Sequence, residues 1–130
     1  MPAPRDEFVD HCLELLGRLG LCRARRMFGG HGLYVGEVFV AIIARQRLYL
    51  KTDAASLPAF AEQGCKPFTF DARGQSTTTS YWSVPDEAME SAELMEPWGR
   101  RALDAARGAA ANRATRRRIK PVAASRKRLP

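Results

Sequence analysis

The sequence predicts an α+β domain in which helices pack on an antiparallel sheet. Three observations carry this reading. Residues 22–52 hold short segments rich in Val, Ile, Phe and Tyr, separated only by tight turns. Two more such segments follow within 67–84, and stretches of helical period precede, separate and follow the two groups. No helix intervenes inside the first group, so its successive strands have to pair antiparallel.

The elements follow in order. "RDEFVDHCLELLGRLG" spaces Phe8, Cys12, Leu15, Leu16 and Leu19 for one helical face, with acids early and Gly20 as a stop. It predicts a helix of about four turns on the ~3.6-residue period. "CRARRMF", "GLYV", "VFVAII" and "LYLKT" read as strands joined by "GGH", "GE" and "ARQR". The run "VFVAII" is apolar at both parities and is expected to be central and covered. "DAASLPAFAEQG" predicts a second helix, capped by Asp53 or Ser56, with Pro58 in its first turn and Gly64 at its end. "PFTFD" and "TTTSYWSV" predict two strands across the polar turn "ARGQST". From "PDEAMESAELMEPWGRRALDAARGAAANR" the chain reads as helix again. Pro97 is expected to split a short turn from a longer helix starting near Glu96, because proline cannot donate inside a helix. The order is therefore helix, three or four strands, helix, two strands, helix. Trp98, Leu103, Phe8, Leu15, Phe39, Ile42 and Phe60 fall on apolar faces of different elements and form the predicted core.

At 130 residues the chain has room for one domain with a single core. Its formal net charge of +7 is unevenly distributed. Residues 107–130 hold nine Lys or Arg and no acid; removing them from the total of 21 leaves 12 basic against 14 acidic residues. The body, 1–106, thus carries a net charge of −2, and the extension, 107–130, carries the basic character. In the extension Arg113, Arg116, Arg117 and Lys120 share one face if the last helix continues, with Pro121 as its expected end. Together with Arg118, Arg126, Lys127 and Arg128 they form an electrostatic footprint suited to nonspecific phosphate contact. The same charges also fit a helix C-terminus complementing its dipole and keeping the protein soluble. No reader of base sequence is visible.

Three cysteines at wide spacing (Cys12, Cys22, Cys65) give no disulfide framework and no C-x-x-C pair, so reduced thiols, partly buried, are expected. With only His11 and His31 beside them, no metal site and no cofactor is predicted. No apolar run reaches the ~18 residues of a membrane span, and the N-terminus lacks a signal peptide's basic-then-apolar order. The expected location is the cytoplasm, without membrane contact.

"RRMFGGHGLYVG" has the look of a phosphate loop but not its spacing. Its glycines stand at 30, 32 and 36, one residue late for G-x-G-x-x-G, and strand material follows instead of a helix. Gly29, Gly30 and Gly32 are therefore expected to make a tight strand-to-strand connection with at least one glycine at positive φ. Arg25 and Arg26 point to opposite sides of a strand, one toward solvent and one toward a sheet edge or a carboxylate. Tyr34 and Tyr49 are expected to pack beneath helices that cover the sheet; they could stack on nucleic acid only if a face were open. Glu7, Asp10 and Glu14 line a solvated helix face beside His11. No nucleophile–base–orienter set appears, so no catalytic residue is predicted. A small-molecule or enzymatic role would need a polar pocket near Arg26, His31 and Tyr34.

The strings "RRMFGGHGLYVGEVFVAIIARQRLYLKTD", "GCKPFTFD", "TTTSYWSVP" and "WGRRALDAA" resemble the N-terminal domain of the TfoX/Sxy competence regulators, over roughly residues 5–107. The motif residues Arg26, Met27, Phe28, Gly29, Gly30, Gly32 and Tyr34 carry the most specific part of the likeness. The resemblance implies an α-β(3)-α-β(2)-α order like that of secretion chaperones. It also implies a non-enzymatic role in bacterial regulation. Full-length relatives act with the cyclic-AMP receptor protein at promoters of DNA-uptake genes and carry a second, helical domain. This chain instead reads as a single-domain member with a basic C-terminal tail. The implied partner is protein, either transcription machinery or a regulator, with nonspecific DNA contact from the tail and room for a homodimer. A protein- or peptide-binding module without nucleic acid is the alternative.

Overall fold

The computed structural model describes residues 6–27 and 29–127, with side chains described as far as residue 112. Helix α1 (Glu7–Leu15) starts where Asp6 accepts the Phe8 and Val9 N–H groups at 3.0 and 3.3 Å, an N-cap that satisfies two orphan donors. It is shorter than expected. At Gly17 the chain tightens into a 3₁₀ turn, Gly17–Leu19, and Gly20 then turns away at φ 145°. The tighter turn re-aims Leu16, which becomes fully buried.

Six strands follow: β1 (Cys22–Met27), β2 (Gly30–Val35), β3 (Val38–Ala44), β4 (Arg47–Lys51), β5 (Pro67–Ala72) and β6 (Gln75–Ser83). They form one antiparallel sheet in the order β1-β2-β3-β4-β6-β5. Four strands precede the second helix, the larger of the two counts the residues allowed and one more than the resemblance implied. The extra strand is explained by hairpin geometry. Arg45 and Gln46 join β3 to β4 with φ of 54° and 61°, and Arg73 and Gly74 join β5 to β6 with 53° and 77°. Two central residues at positive φ match the right-handed twist of adjoining strands, so each turn needs only two residues.

Between the groups lies α2 (Leu57–Glu62), with Pro58 in its first turn and Gly64 at φ 78° behind it. Ser56 is the N-cap residue, but its side chain caps no helix N–H. Ser56 and Asp53 instead close the preceding turn on each other, Ser56 N–H donating to Asp53 Oδ1 at 2.9 Å and Asp53 N–H to Ser56 Oγ at 3.0 Å. Hydrogen bonds close the seam that the α2 excursion leaves. Thr52 N–H and Thr52 Oγ both donate to the Ser80 carbonyl at 2.8 Å, and Ser83 N–H donates to the Lys66 carbonyl at 2.8 Å.

A 3₁₀ turn (Asp86–Glu90) leads into α3 (Ala92–Lys127). This helix begins four residues earlier than expected and passes through Pro97. Ser91 supplies the cap, its Oγ accepting the Leu94 N–H at 3.1 Å. The carbonyl that Pro97 cannot serve belongs to Glu93, an exposed residue, so water can satisfy it. The helix also continues through Pro121, the expected end: that proline costs one backbone bond without stopping the assigned helix. The boundary that charge suggests at 106/107 falls inside α3.

The core lies between one face of the sheet and the helices. Paired positions Leu33↔Ala41↔Leu50 and Ile43↔Leu48 project from the sheet; Val9, Cys12, Leu15, Leu16, Phe60, Met95, Ala102, Leu103 and Ala106 meet them. Of the predicted core, Leu15, Phe60 and Leu103 are buried, and Phe8 and Trp98 pack against the cluster half-buried. Phe39 and Ile42 do not belong there; they sit on the opposite face of the sheet. Trp98 meets Phe60 edge-on, with ring centroids 5.0 Å apart, locking α3 to α2.

Two stability changes follow from this packing. Trp98→Ala should destabilise the protein by about 3 kcal/mol, the low end for an aromatic because the ring is half-buried. Asp6→Ala should cost about 1 kcal/mol through loss of the α1 cap. Urea denaturation of the two variants against wild type measures both.

Candidate functional site

The glycine-rich motif resolves into a hairpin. Met27 pairs with Gly30, so the link between β1 and β2 is residues 28 and 29 alone; Phe28 lies outside the described residues. Gly29 has φ 76°, the positive value expected of at least one glycine here. Gly30 and Gly32 are not in the connection, contrary to expectation. They are strand residues, and glycine is required by crowding. A Cβ on Gly30 would collide with the Ile43 carbonyl oxygen, and one on Gly32 would lie 2.6 Å from Phe39 Cε1 and 2.7 Å from Met27 Cε. The motif opens a strand, so its N–H groups enter a ladder instead of converging on a phosphate.

Arg25 and Arg26 are both exposed. At this end of the sheet their neighbour Arg23, half-exposed, reaches the exposed Glu37 at 3.4 Å, a contact worth little by itself.

The second face of the sheet carries a layer of rings. Helices were expected to cover Tyr34 and Tyr49; α1, α2 and the first turns of α3 instead gather on the other side. Tyr34 lies 5.1 Å from Phe39, Phe39 lies 5.7 Å from Tyr81, and Tyr49 lies 5.1 Å from Phe68, which is followed by Phe70 at 6.3 Å. Register explains the grouping, because directly paired residues share a face. Tyr34 pairs with Phe39, and Gly32, Ile42, Tyr49 and Ser83 form one cross-strand row. A slip in register between Leu33 and Tyr34 turns Phe39 out of the helix-side core. Cations lie over two of the rings: the Arg23 guanidinium 4.7 Å above Tyr34 and Lys51 Nζ 5.3 Å from Tyr81.

Within this layer is a groove of about 230 Å³. Its walls are mostly apolar, from Met27, Phe39, Ile42, Ile43 and Phe68, with His31, Thr79 and Tyr81 among the polar members. The polar pocket that an enzymatic role would need near Arg26, His31 and Tyr34 is therefore not the chemistry this groove offers. A second hollow, beside Glu7, Asp10, His11 and Glu14, is open and built from one helix. His11 is committed structurally there, its Nε2 2.9 Å from the Met89 carbonyl, a bond that places the proton on Nε2. Among the described residues, no group of three His, Cys, Asp or Glu side chains could hold a metal ion.

All three cysteines are free thiols. Burial pushes the Cys12 thiol up to about 12, with the nearby Asp6 carboxylate adding to the shift. Burial also raises Cys22 and Cys65. A raised thiol pKa opposes thiolate formation and hence nucleophilic attack.

The proposed phosphate contacts Arg113, Arg116, Arg117, Arg118, Lys120, Arg126, Lys127 and Arg128 have side chains outside the described residues; the backbone of residues 113–127 is helical. Sequence reasoning missed the ring layer as a unit. The signal was present in "YW" at 81 and 82: adjacent strand residues point to opposite faces, so aromatic side chains must furnish both.

No described helix is long and apolar enough to cross a membrane. Comparison with family models matches residues 14–106 to the TfoX N-terminal domain. The matched segment runs from within α1 to the point in α3 where the basic extension begins. Comparison with curated proteins finds no match.

Gly30→Ala should destabilise more than Gly32→Ala, because a carbonyl oxygen in a ladder cannot yield while the Met27 side chain can; the expected cost at Gly30 is about 2 kcal/mol or more by overpacking. Paired denaturation curves measure the difference. For Cys12, the folded pKa lies above its unfolded value, so the associated stability is full below about pH 9 and is lost as pH rises toward 12. Labelling with a thiol reagent at pH 8 should accordingly reach Cys12 only after unfolding. Rapid labelling of folded protein at Cys12, read by peptide mass, would contradict its burial.

Proposed function

Because the chain belongs to the TfoX N-terminal domain family, we propose that it is a non-enzymatic bacterial regulatory protein, a transcriptional regulator or co-regulator of the competence type. In this reading the α+β body contacts a protein partner and the basic extension contacts duplex DNA without reading its sequence. The observation that carries it is the segregation of charge. The body holds every acid in the chain and a net charge of −2, while 107–130 holds nine cations and no acid. That distribution supports phosphate contact by the C-terminal part of α3, with the sheet and the other helices open to other contacts. Arginine on phosphate positions a protein along DNA and supplies affinity without discrimination.

The sheet supports a second reading. Strands β1 and β5 end it on either side, and an edge strand offers backbone donors and acceptors to an added peptide strand. On that reading the domain is a protein- or peptide-binding module and the extension serves solubility.

Titration of labelled duplex DNA with the full chain and with a chain shortened after residue 112 separates the two. If about five cations contact phosphates, log K should fall against log salt with a slope of about −4 to −5. The shortened chain should lose that binding and keep the cooperative thermal unfolding of the body, while its helix signal falls by the share of α3 removed. Affinity should vary little among duplex sequences. Equal binding by both chains, or by neither, would make the extension a solubility feature and put the peptide-binding reading first.

A further inference from the structure

The uncovered sheet face combines two properties that the regulatory reading above does not use. One is the ring layer. The other is the sign of its charge. Across all six strands the acid-bearing position is Asp71, against Arg23, Arg25, Arg26, Arg47 and Lys51. Register places four of the cations on the ring face: Arg23 opposite Tyr34, Arg25 opposite Gly32, and Arg47 and Lys51 two residues either side of Tyr49. Phe70 is on that face, stacked on Phe68, so its neighbour Asp71 points to the other. A body of net charge −2 thus presents one face whose strand positions carry cations and no acid.

We propose that this face binds single-stranded nucleic acid, with Tyr34, Phe39 and Tyr81 as stacking rings and Arg23, Arg25, Arg47 and Lys51 as phosphate partners. Complementary chemistry favours this occupant over others. Bases present π-faces that stack on rings without needing hydrogen bonds, and their phosphates seek cations at the margin. The position of Arg23 and Lys51 over Tyr34 and Tyr81 places ring and cation within one nucleotide's reach of each other. A peptide laid across the same face would find the sheet's N–H and C=O groups already consumed by the ladder, leaving its own unsatisfied. It would dock at an edge instead. A second copy of the chain would oppose four cations to four cations. A duplex keeps its bases stacked inside and would leave the apolar groove unused. The groove walls hold few polar groups, so binding should tolerate any base sequence.

The test uses the full chain, a labelled oligo(dT) of about twelve nucleotides, within the usual range of single-strand sites, and a labelled duplex of equal length. The basic extension by itself favours the duplex, whose charge density is higher. Tighter binding of oligo(dT) than of duplex is therefore the expected mark of the ring face. The variant Tyr34→Leu/Tyr81→Leu keeps apolar cover but removes two rings. It should weaken oligo(dT) binding about fivefold or more while leaving duplex binding unchanged. Should that variant fail to fold, Arg25→Gln/Arg47→Gln at exposed positions should flatten the oligo(dT) salt slope by about 1.4. Arg116→Gln/Arg117→Gln/Arg118→Gln acts oppositely, weakening the duplex more than the single strand, so failure of the tail reading and failure of this one are distinguishable. Equal oligo(dT) affinity in wild type and folded ring variant overturns the proposal. So does loss of a dimer in the ring variant by sedimentation, which would make the face a contact between copies. Ring-dependent binding of a Glu- and Tyr-rich peptide in place of oligo(dT) overturns it as well.

Discussion

The close approach of α3 to the sheet is the constraint on which the rest of this protein depends. Gly99, Ala102, Ala105 and Ala106 are buried on the helix, with the larger Met95 and Leu103 among them. Small side chains let the helix axis settle near β3 and β4, and a Cβ on Gly99 would already lie 2.8 Å from Leu19 Cδ1. That proximity fixes the 3₁₀ turn beneath α3 and, through it, the end of α1. Glu96 reinforces the same corner from solvent, accepting from Arg100 at 2.8 Å and pairing with Arg18 at 3.4 Å. The Arg100 hydrogen bond, helped by Arg18, holds its carboxyl below the usual carboxylate range.

Once α3 is seated, the helices are spent on one side. Six strands offer two faces, and α1, α2 and the first turns of α3 gather over one of them. Antiparallel sheets commonly leave a face to solvent, and that face is then polar. Here it holds tyrosines and phenylalanines instead, with Phe70 41% exposed.

Charge follows the same division. The acids concentrate in helices and turns, Glu37 among them beside Arg23, while the strands are basic apart from Asp71. The protein therefore has two distinct cationic features, the extension beyond residue 106 and the ring face. They differ in what accompanies the charge: the first stands among alanines, the second among rings. On the two readings proposed above, phosphate would be the shared ligand group, and only the ring face would tell exposed bases from stacked ones.

The sequence by itself determined the α+β class, the two strand groups, the tight turns, the reduced cysteines and the segregation of charge. Those properties are local: a period of two or ~3.6, a Gly-rich turn or a run of arginines is written in consecutive residues. Family likeness was local too, since the R-x-M-F-G-G-x-G-L-Y string and its match over 14–106 rest on the same short segments. What only the tertiary structure decided was which side each apolar residue faces. "VFVAII" is apolar at both parities, so periodicity could not tell Ile43, buried on the helix side, from Ile42, in the same cross-strand row as Tyr49. The register slip at Leu33/Tyr34 is invisible in sequence, yet it is what turns Phe39 outward. Gly30 and Gly32 read as turn residues because glycine has two uses, positive φ and close approach, and only the neighbouring strands reveal which is in force. Pro97 looked like a boundary because its cost was legible while its remedy, an exposed Glu93 carbonyl open to water, depended on the helix being at the surface. The side of a sheet that stays bare is a count of helices against faces, and that count exists only when the whole chain has folded.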